Sequence, residues 1–396
     1  MRILIYVPTI ALGDNSGGSI HVHELGENLS RLGNRVVIIC RLGSDAYDGL
    51  ATIKRVRVPG IKVIGWLLAT IYGLFLGLMT SRRDKYDLIY TRSGLSASAW
   101  LIYRLSKTPY ITEVNGLIWD EAKISWVGWW RKVAGYLLDR VESRAYGHSQ
   151  HLVVVTRGIR DALLARQAIE SGQITVIVNG VNTNLFKPLD TNETRKKLNL
   201  DEHGYLIVLV GKLLAWQGAE RLIKCFPYVI REYPESRLLI VGDGPLKSEL
   251  VTLARSIGVQ GKVIFTGAIA HQEVPLYINA SNICVTTVQP VRSGYSALKL
   301  YEYMACGRPV VATRTSGFEI LEGSDAGLLV NPEDPQEFAN TIIKLLQHPE
   351  LRKRMGKNGR KYVVENHSWA SVAKRVAEVC EQTLQEHNEK QNKRKL

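Results

Sequence analysis

Short, largely β-branched apolar runs recur along the chain, spaced so that one helix fits between each pair. Ile3–Val7, Arg35–Cys40, Leu88–Tyr90, Tyr110–Val114 and Leu152–Val155 read as buried strands with helical stretches between them. A second series follows: Leu206–Val210, Leu238–Val241, Val263–Thr266, Ile283–Thr287, Pro309–Ala312 and Gly327–Val330. Strands alternating with helices predict parallel sheets covered on both faces, because a parallel neighbour is reached only through a crossover. Two series predict an α/β chain of two doubly wound, Rossmann-like domains. Turn residues from Asn179-Gly180-Val181-Asn182 to Lys187-Pro188 put the joint near 182, giving domains over 1–182 and 183–365. Trp369 to about Gln385 reads as a further helix, with Val372, Val376, Val379 and Cys380 at helical spacing, and 386–396 reads as a solvated basic tail.

Two segments depart from the pattern of an ordinary soluble domain. Val63 to Thr80 carries no charge and lies between Lys62 and Arg82-Arg83, about the minimum length for a membrane span. Spanning would separate the first strand from the rest of its sheet, so a buried or interface-lying helix is expected. Four tryptophans, Trp119, Trp126, Trp129 and Trp130, crowd together just beyond it. A helix over Ser125–Leu138 would carry Trp126, Trp129, Trp130, Val133 and Leu137 on one face and leave Arg131 and Lys132 outside it. Such a face suits a membrane interface, or packing on the core.

Composition narrows the classes. The 396 residues, 45% hydrophobic and 22% charged, are those of a folded protein too long for one ordinary core. The five cysteines form no CxxC pair and sit near no histidine cluster, which argues against zinc and for reduced thiols in a cytoplasmic setting. A net charge of +14 favours anionic partners. No nucleic-acid-binding signature accompanies it, so nucleotide phosphates and acidic lipid are the partners expected and nucleic acid is not. The N-terminus, Arg2 to Pro8, is a strand and not an export signal.

Candidate chemistry sits where strands give way to helices. Gly13 to Ser19 follows the first strand; its adjacent Gly17 and Gly18 open a helix whose free amides favour phosphate or carboxylate, though the loop lacks the dinucleotide GxGxxG spacing. Lys212, in Gly211-Lys212-Leu213, follows the first strand of the second series, where open parallel sheets meet ligands. In Ser293 to Val311, Ser296 is expected as an N-cap, with Lys299 in the first turn and Glu302 three residues on along the same face. A diphosphate would suit Lys299 and the amides, and sugar hydroxyls would suit Glu302; the plain alternative is an ordinary surface ion pair.

The run LKLYEYMACGRPVVAT, the VGDGP turn at Val241–Pro245 and SGFEILEGSDAGLLVNPEDP at Ser316–Pro335 resemble the group 1 glycosyltransferases, the retaining family four of GT-B architecture, in which two Rossmann-like domains face a cleft. The likeness extends to Gly17-Gly18 and to HSWASVAKR from His367, similar to the family's last helix, which returns to the first domain. It implies a metal-independent hexosyltransferase of polysaccharide biosynthesis. Its donor site would comprise Gly17, Lys212, Gln217, Gly242, Ile269, Ser296, Lys299, Leu300 and Glu302, with Gly18, Asn115 and Lys212 at the reacting centre. Glu302 would bind ribose, Lys212 the diphosphate, and Gly242 and Ile269 would lie near the base. This sequence departs from the family at three places. Gly294 occupies the position of the first acid of the paired-glutamate motif, Gln217 that of a second phosphate-binding lysine, and Asn115 that of a common histidine. Lys299 is expected to offset the cation missing at Gln217. No cofactor is expected beyond a nucleotide-sugar donor, foremost a UDP-sugar, with a glycan or lipid-linked acceptor and a peripheral position on the inner membrane face. A silent binding relative and a nucleotide-sugar epimerase are the alternatives.

Overall fold

The computed structural model describes residues 1–14, 16–42, 49–58, 62–119, 129–166, 169–291, 293–296 and 298–393. Cα packing divides the chain into two compact units, Met1–Gly180 with Trp369–Leu396, and Val181–Ser368.

The first unit is built on seven parallel strands: β1 (Arg2–Leu12), β2 (Arg35–Leu42), β3 (Thr52–Val56), β4 (Leu88–Arg92), β5 (Tyr110–Val114), β6 (His151–Val154) and β7 (Ile174–Val176). Their order across the sheet is β3-β2-β1-β4-β5-β6-β7. Ile3, Leu4, Ile5 and Val7 at its centre are fully buried, as continuous apolar runs require when helices cover both faces. The edge strands β3 and β7 went unpredicted, the first because Lys54 and Arg55 interrupt its apolar character and the second because it has only three residues. The crossover direction reverses between β1 and β4, so the carboxyl ends of these strands form the crevice where such sheets take ligands.

Helices α1 (Gly17–Arg31), α2 (Lys62–Asp84), α3 (Ser96–Ser106), α4 (Trp129–His148) and α5 (Arg157–Ala165) connect the strands. Helix α2 is built inside out. Its buried row is small, Gly65, Ala69, Gly73 and Gly77, and a side chain at Gly77 would come within 2.7 Å of Ile102. Large apolar residues, Leu67, Ile71, Phe75 and Met79, form the exposed row. Among the described residues no helix is long and apolar enough to cross a membrane. The tryptophan face falls largely outside the described residues: 120–128 are not described, nor are the side chains of 129–132.

The second unit holds six parallel strands: β8 (Leu206–Val210), β9 (Arg237–Val241), β10 (Val263–Gly267), β11 (Ile283–Thr286), β12 (Val310–Thr313) and β13 (Gly327–Val330), in the order β10-β9-β8-β11-β12-β13. Its switch point lies between β8 and β11. The helices are α6 (Thr191–Lys197), α7 (Ala219–Glu232), α8 (Lys247–Ser256), α9 (Val274–Ala280), α10 (Leu298–Ala305), α11 (Ile320–Gly323), α12 (Pro335–Gln347) and α13 (Pro349–Asn366). Phe226, Leu238, Ile240, Val285, Phe338 and Ile342 anchor one side of its core.

Helix α14 (Trp369–Lys393) belongs to the first unit. It does not end near Gln385: the chain expected as an unstructured basic tail stays helical to Lys393, because Gln, Glu and Lys are good helix formers even when solvated.

Candidate functional site

In the second unit the site starts where β8 ends. Gly211 has φ +144°, and a Cβ there would collide with the Lys299 ammonium, so glycine is what leaves room for that charge. A Cβ at Gly242, φ +139°, would likewise collide with the Gly211 carbonyl oxygen. Backbone bonds from Gly211 N to Val241 O (2.8 Å) and Leu213 N to Asp243 O (3.0 Å) fasten the two strand-end loops together. The expected site residues around this crevice are therefore held by backbone geometry.

Lys299, in the first turn of α10, reaches across to donate a hydrogen bond to Gln217 Oε1. Gln217 is buried, and Thr287 Oγ1 donates to its carbonyl at 2.9 Å. Burial lowers the Lys299 pKa to about 8, against the opposing pull of Glu302. Glu302 lies within 2.9 Å of His271 Nε2, whose ring packs 5.1 Å from that of Phe186. Lys212 is exposed, its carbonyl accepting from Leu214 N at 3.0 Å and its ammonium without a hydrogen-bond partner among the described residues. Ser296 and Ile269 are half-buried. Leu300 is fully buried, so its side chain belongs to the core and only its backbone faces the helix start. Helix α10 begins at Leu298, and the cap expected from Ser296 involves residue 297, which lies outside the described residues.

Gly294, where the resemblance leads one to expect a motif acid, has a backbone that disfavours any side chain. Its φ is +72°, and a Cβ would collide with the Ser316 carbonyl oxygen. An acid here would need a different backbone, not merely a different side chain. Beside it, Tyr295 stacks on Trp216 at 5.2 Å and 11°.

In the first unit the crevice is lined by a charge cluster that sequence reasoning missed. Ser16 caps α1 by accepting from Ser19 N at 3.3 Å, which sets Gly17 and Gly18 in the first turn. The Gly18 carbonyl accepts from Arg92 Nη1 at 3.2 Å. Arg92, at the end of β4, also pairs through Nε with Glu113 Oε1 at 3.3 Å. Glu113, on β5, takes three further bonds: from Asn115 Nδ2 (2.7 Å), Tyr90 Oη (2.7 Å) and His21 Nε2 (2.8 Å). Burial alone would raise its pKa, but His21, Arg92 and Tyr90 outweigh that and lower it to about 2. Gly18 and Asn115 are thus tied together through two residues. The available signal was a lone acid in the wholly buried strand Tyr110–Val114, where an unpaired charge is untenable.

Residues 190–362 match the model of glycosyl transferases group 1, and residues 15–185 that of glycosyltransferase family 4. A D-inositol 3-phosphate glycosyltransferase from Frankia alni is 27% identical over 92% of this chain and 94% of its own. Sucrose-phosphate synthase from Thermosynechococcus elongatus superposes with a TM-score of 0.81 at 24% identity, covering 96% of this chain and 99% of that one. Anabaena HepE in complex with UDP-glucose gives 0.75 at 18% identity, over 96% and 100%. Both units thus match glycosyltransferase models, a family 4 model in the first and a group 1 model in the second, on a fold shared with GT-B enzymes: the chain is a glycosyltransferase-type protein.

Proposed function

We propose that the chain transfers a hexose from a UDP-sugar to a glycan or lipid-linked acceptor, with retention of anomeric configuration and without a metal. The observation that carries this reading is the Lys299–Gln217 bond at the switch point of the second sheet. A departing nucleoside diphosphate needs its developing charge stabilised in a partly dry site. Lys299 supplies a cation where Gln217 cannot, Lys212 adds a second from the preceding turn, and the free amides at the start of α10 add their dipoles. Glu302, steadied by His271, suits the paired hydroxyls of a ribose. The Gly17-Gly18 helix start and Asn115 serve the reacting sugar and acceptor. The UDP-glucose held by the HepE relative supports the choice of donor. Calorimetry with UDP and UDP-glucose, followed by turnover with lipid and glycan acceptors, tests it. Binding without turnover would favour a silent relative, sugar conversion without acceptor an epimerase, and no binding would overturn the reading.

The acceptor side includes a peripheral membrane contact on the cytoplasmic face through α2. The exposed row Leu67, Ile71, Phe75 and Met79 runs toward Arg82 and Arg83, an apolar surface ending in cations.

A further inference from the structure

The geometry points to Glu113 as a positioning residue for transfer: one buried carboxylate fixes both the orientation of the Asn115 amide and the carbonyl of Gly18. This rests on the transferase reading, in which Asn115 and Gly18 serve the reacting sugar. Glu113 accepts from His21 Nε2 and Tyr90 Oη on one oxygen and from Asn115 Nδ2 on the other, which also forms an ion pair with Arg92 Nε at 3.3 Å. Of the carboxylate's roughly four lone-pair directions, three take hydrogen bonds, and the Arg92 guanidinium lies beside the oxygen that accepts only one. Because an ionised carboxylate only accepts, the Asn115 side chain must turn its NH2 group inward.

What that leaves is chemically definite. Asn115 Oδ1 is buried and has no partner among the described residues. A buried acceptor without a donor is costly, and it is satisfied when a ligand brings an O–H or N–H to it. Asn115 is thereby committed as a hydrogen-bond acceptor toward a substrate hydroxyl and cannot act as a donor. Arg92 carries the same constraint to the helix opening, because its Nη1 holds the Gly18 carbonyl while its Nε is held by Glu113. Tyr90 and His21 occupy the carboxylate's other oxygen, and His21, itself on α1 three residues beyond Gly18, fastens that helix to Glu113 a second time. Glu113 therefore acts through Asn115 and Arg92, not on the substrate itself.

Glu113→Gln distinguishes this from a purely structural role. Glutamine keeps one acceptor oxygen and so cannot satisfy the donors on both sides, and it removes the charge that holds Arg92, so the joint hold on Asn115 and Gly18 is loosened. Glu142 supplies the control: it too is buried in the first unit, but it accepts from the backbone amides of Gly94, Ser96 and Ala97 at the start of α3. Full-length Glu113→Gln is expected to lose tenfold or more in kcat for UDP-glucose consumption, with UDP affinity within twofold of the parent. Glu142→Gln is expected to lose thermal stability while keeping kcat within twofold. In parallel, nitrogen-15 NMR should find the Asn115 side-chain amide protected from solvent exchange in the parent and in Glu142→Gln, and exchanging freely in Glu113→Gln. Activity falling in step with stability in both variants, an unchanged kcat in Glu113→Gln, or an unprotected amide in the parent would overturn the assignment. A parent that binds UDP-glucose but never consumes it, with the amide protected, would sink the transferase reading and leave the positioning of Asn115 intact.

Discussion

Lys299 combines a cationic role with a lowered pKa of about 8, and the two pull its pH behaviour in opposite directions. UDP binding should weaken as pH rises beyond about 8 and the ammonium is lost. Stability should move the other way: between about 8 and the unfolded lysine's 10.5 the unfolded chain binds more protons, so this group's contribution to stability rises with pH. Calorimetric titration and chemical denaturation from pH 7 to 10 check both signs. Lys299→Ala should cost about 1.5–3 kcal/mol of UDP affinity, the range for a charge-assisted bond. Glu113 gives the acid counterpart. Its pKa is lowered to about 2 from 4.5, so the stability it supplies is complete above 4.5 and is lost as pH falls toward 2. At Gly294, a glutamate introduced at the expected motif position should destabilise the fold and give no gain in turnover over the parent, since the obstacle is the Ser316 backbone; thermal unfolding and turnover of Gly294→Glu check this. Composition and motif could point to Lys299 and Glu302. The Glu113 cluster was illegible because its members come from α1, β4 and β5 and meet only once the sheet has formed.

Elements were legible where the hydrophobic period was clean. Most of the strands were read nearly at their observed bounds, but β1, expected to stop at Pro8, runs on to Leu12, and β3 and β7 were lost because edge strands need little burial and carry little apolar signal. Helix α2 shows a subtler limit. Its apolar residues were obvious, but their exposure was not, since nothing in the period alone says that the glycine and alanine row faces inward. Close packing of small residues on the sheet costs α2 the burial that large side chains would have gained, and it leaves the larger hydrophobic face outside. If that face meets lipid, Ile71→Ser with Phe75→Ser should abolish co-sedimentation with anionic vesicles while UDP affinity stays as in the parent. Binding should also weaken with salt, each nearby Arg contributing about 1 kcal/mol at an anionic surface. Vesicle binding indifferent to both changes would remove α2 from the membrane contact.

For the molecule as a whole, the division into two units implies two separable responses to ligand. UDP bound by the second unit should raise the unfolding temperature of that unit's transition in scanning calorimetry and leave the first unit's transition where it was, since a ligand stabilises only the state that holds it. The first unit also differs from the second in being discontinuous in sequence. Trp369, Val372, Val376 and Cys380 of α14 are buried within it, the Trp369 ring meets His21 edge-on at 5.0 Å, and a side chain at Gly180 would approach that ring to 2.9 Å. This gives the units different requirements for folding: the second is one unbroken stretch from Val181 to Ser368, while the first, although begun earlier in the chain, is incomplete until α14 joins it. A chain cut before Trp369 and released would thus hold a complete second unit and an incomplete first one, with the apolar seat of α14 open to chaperones.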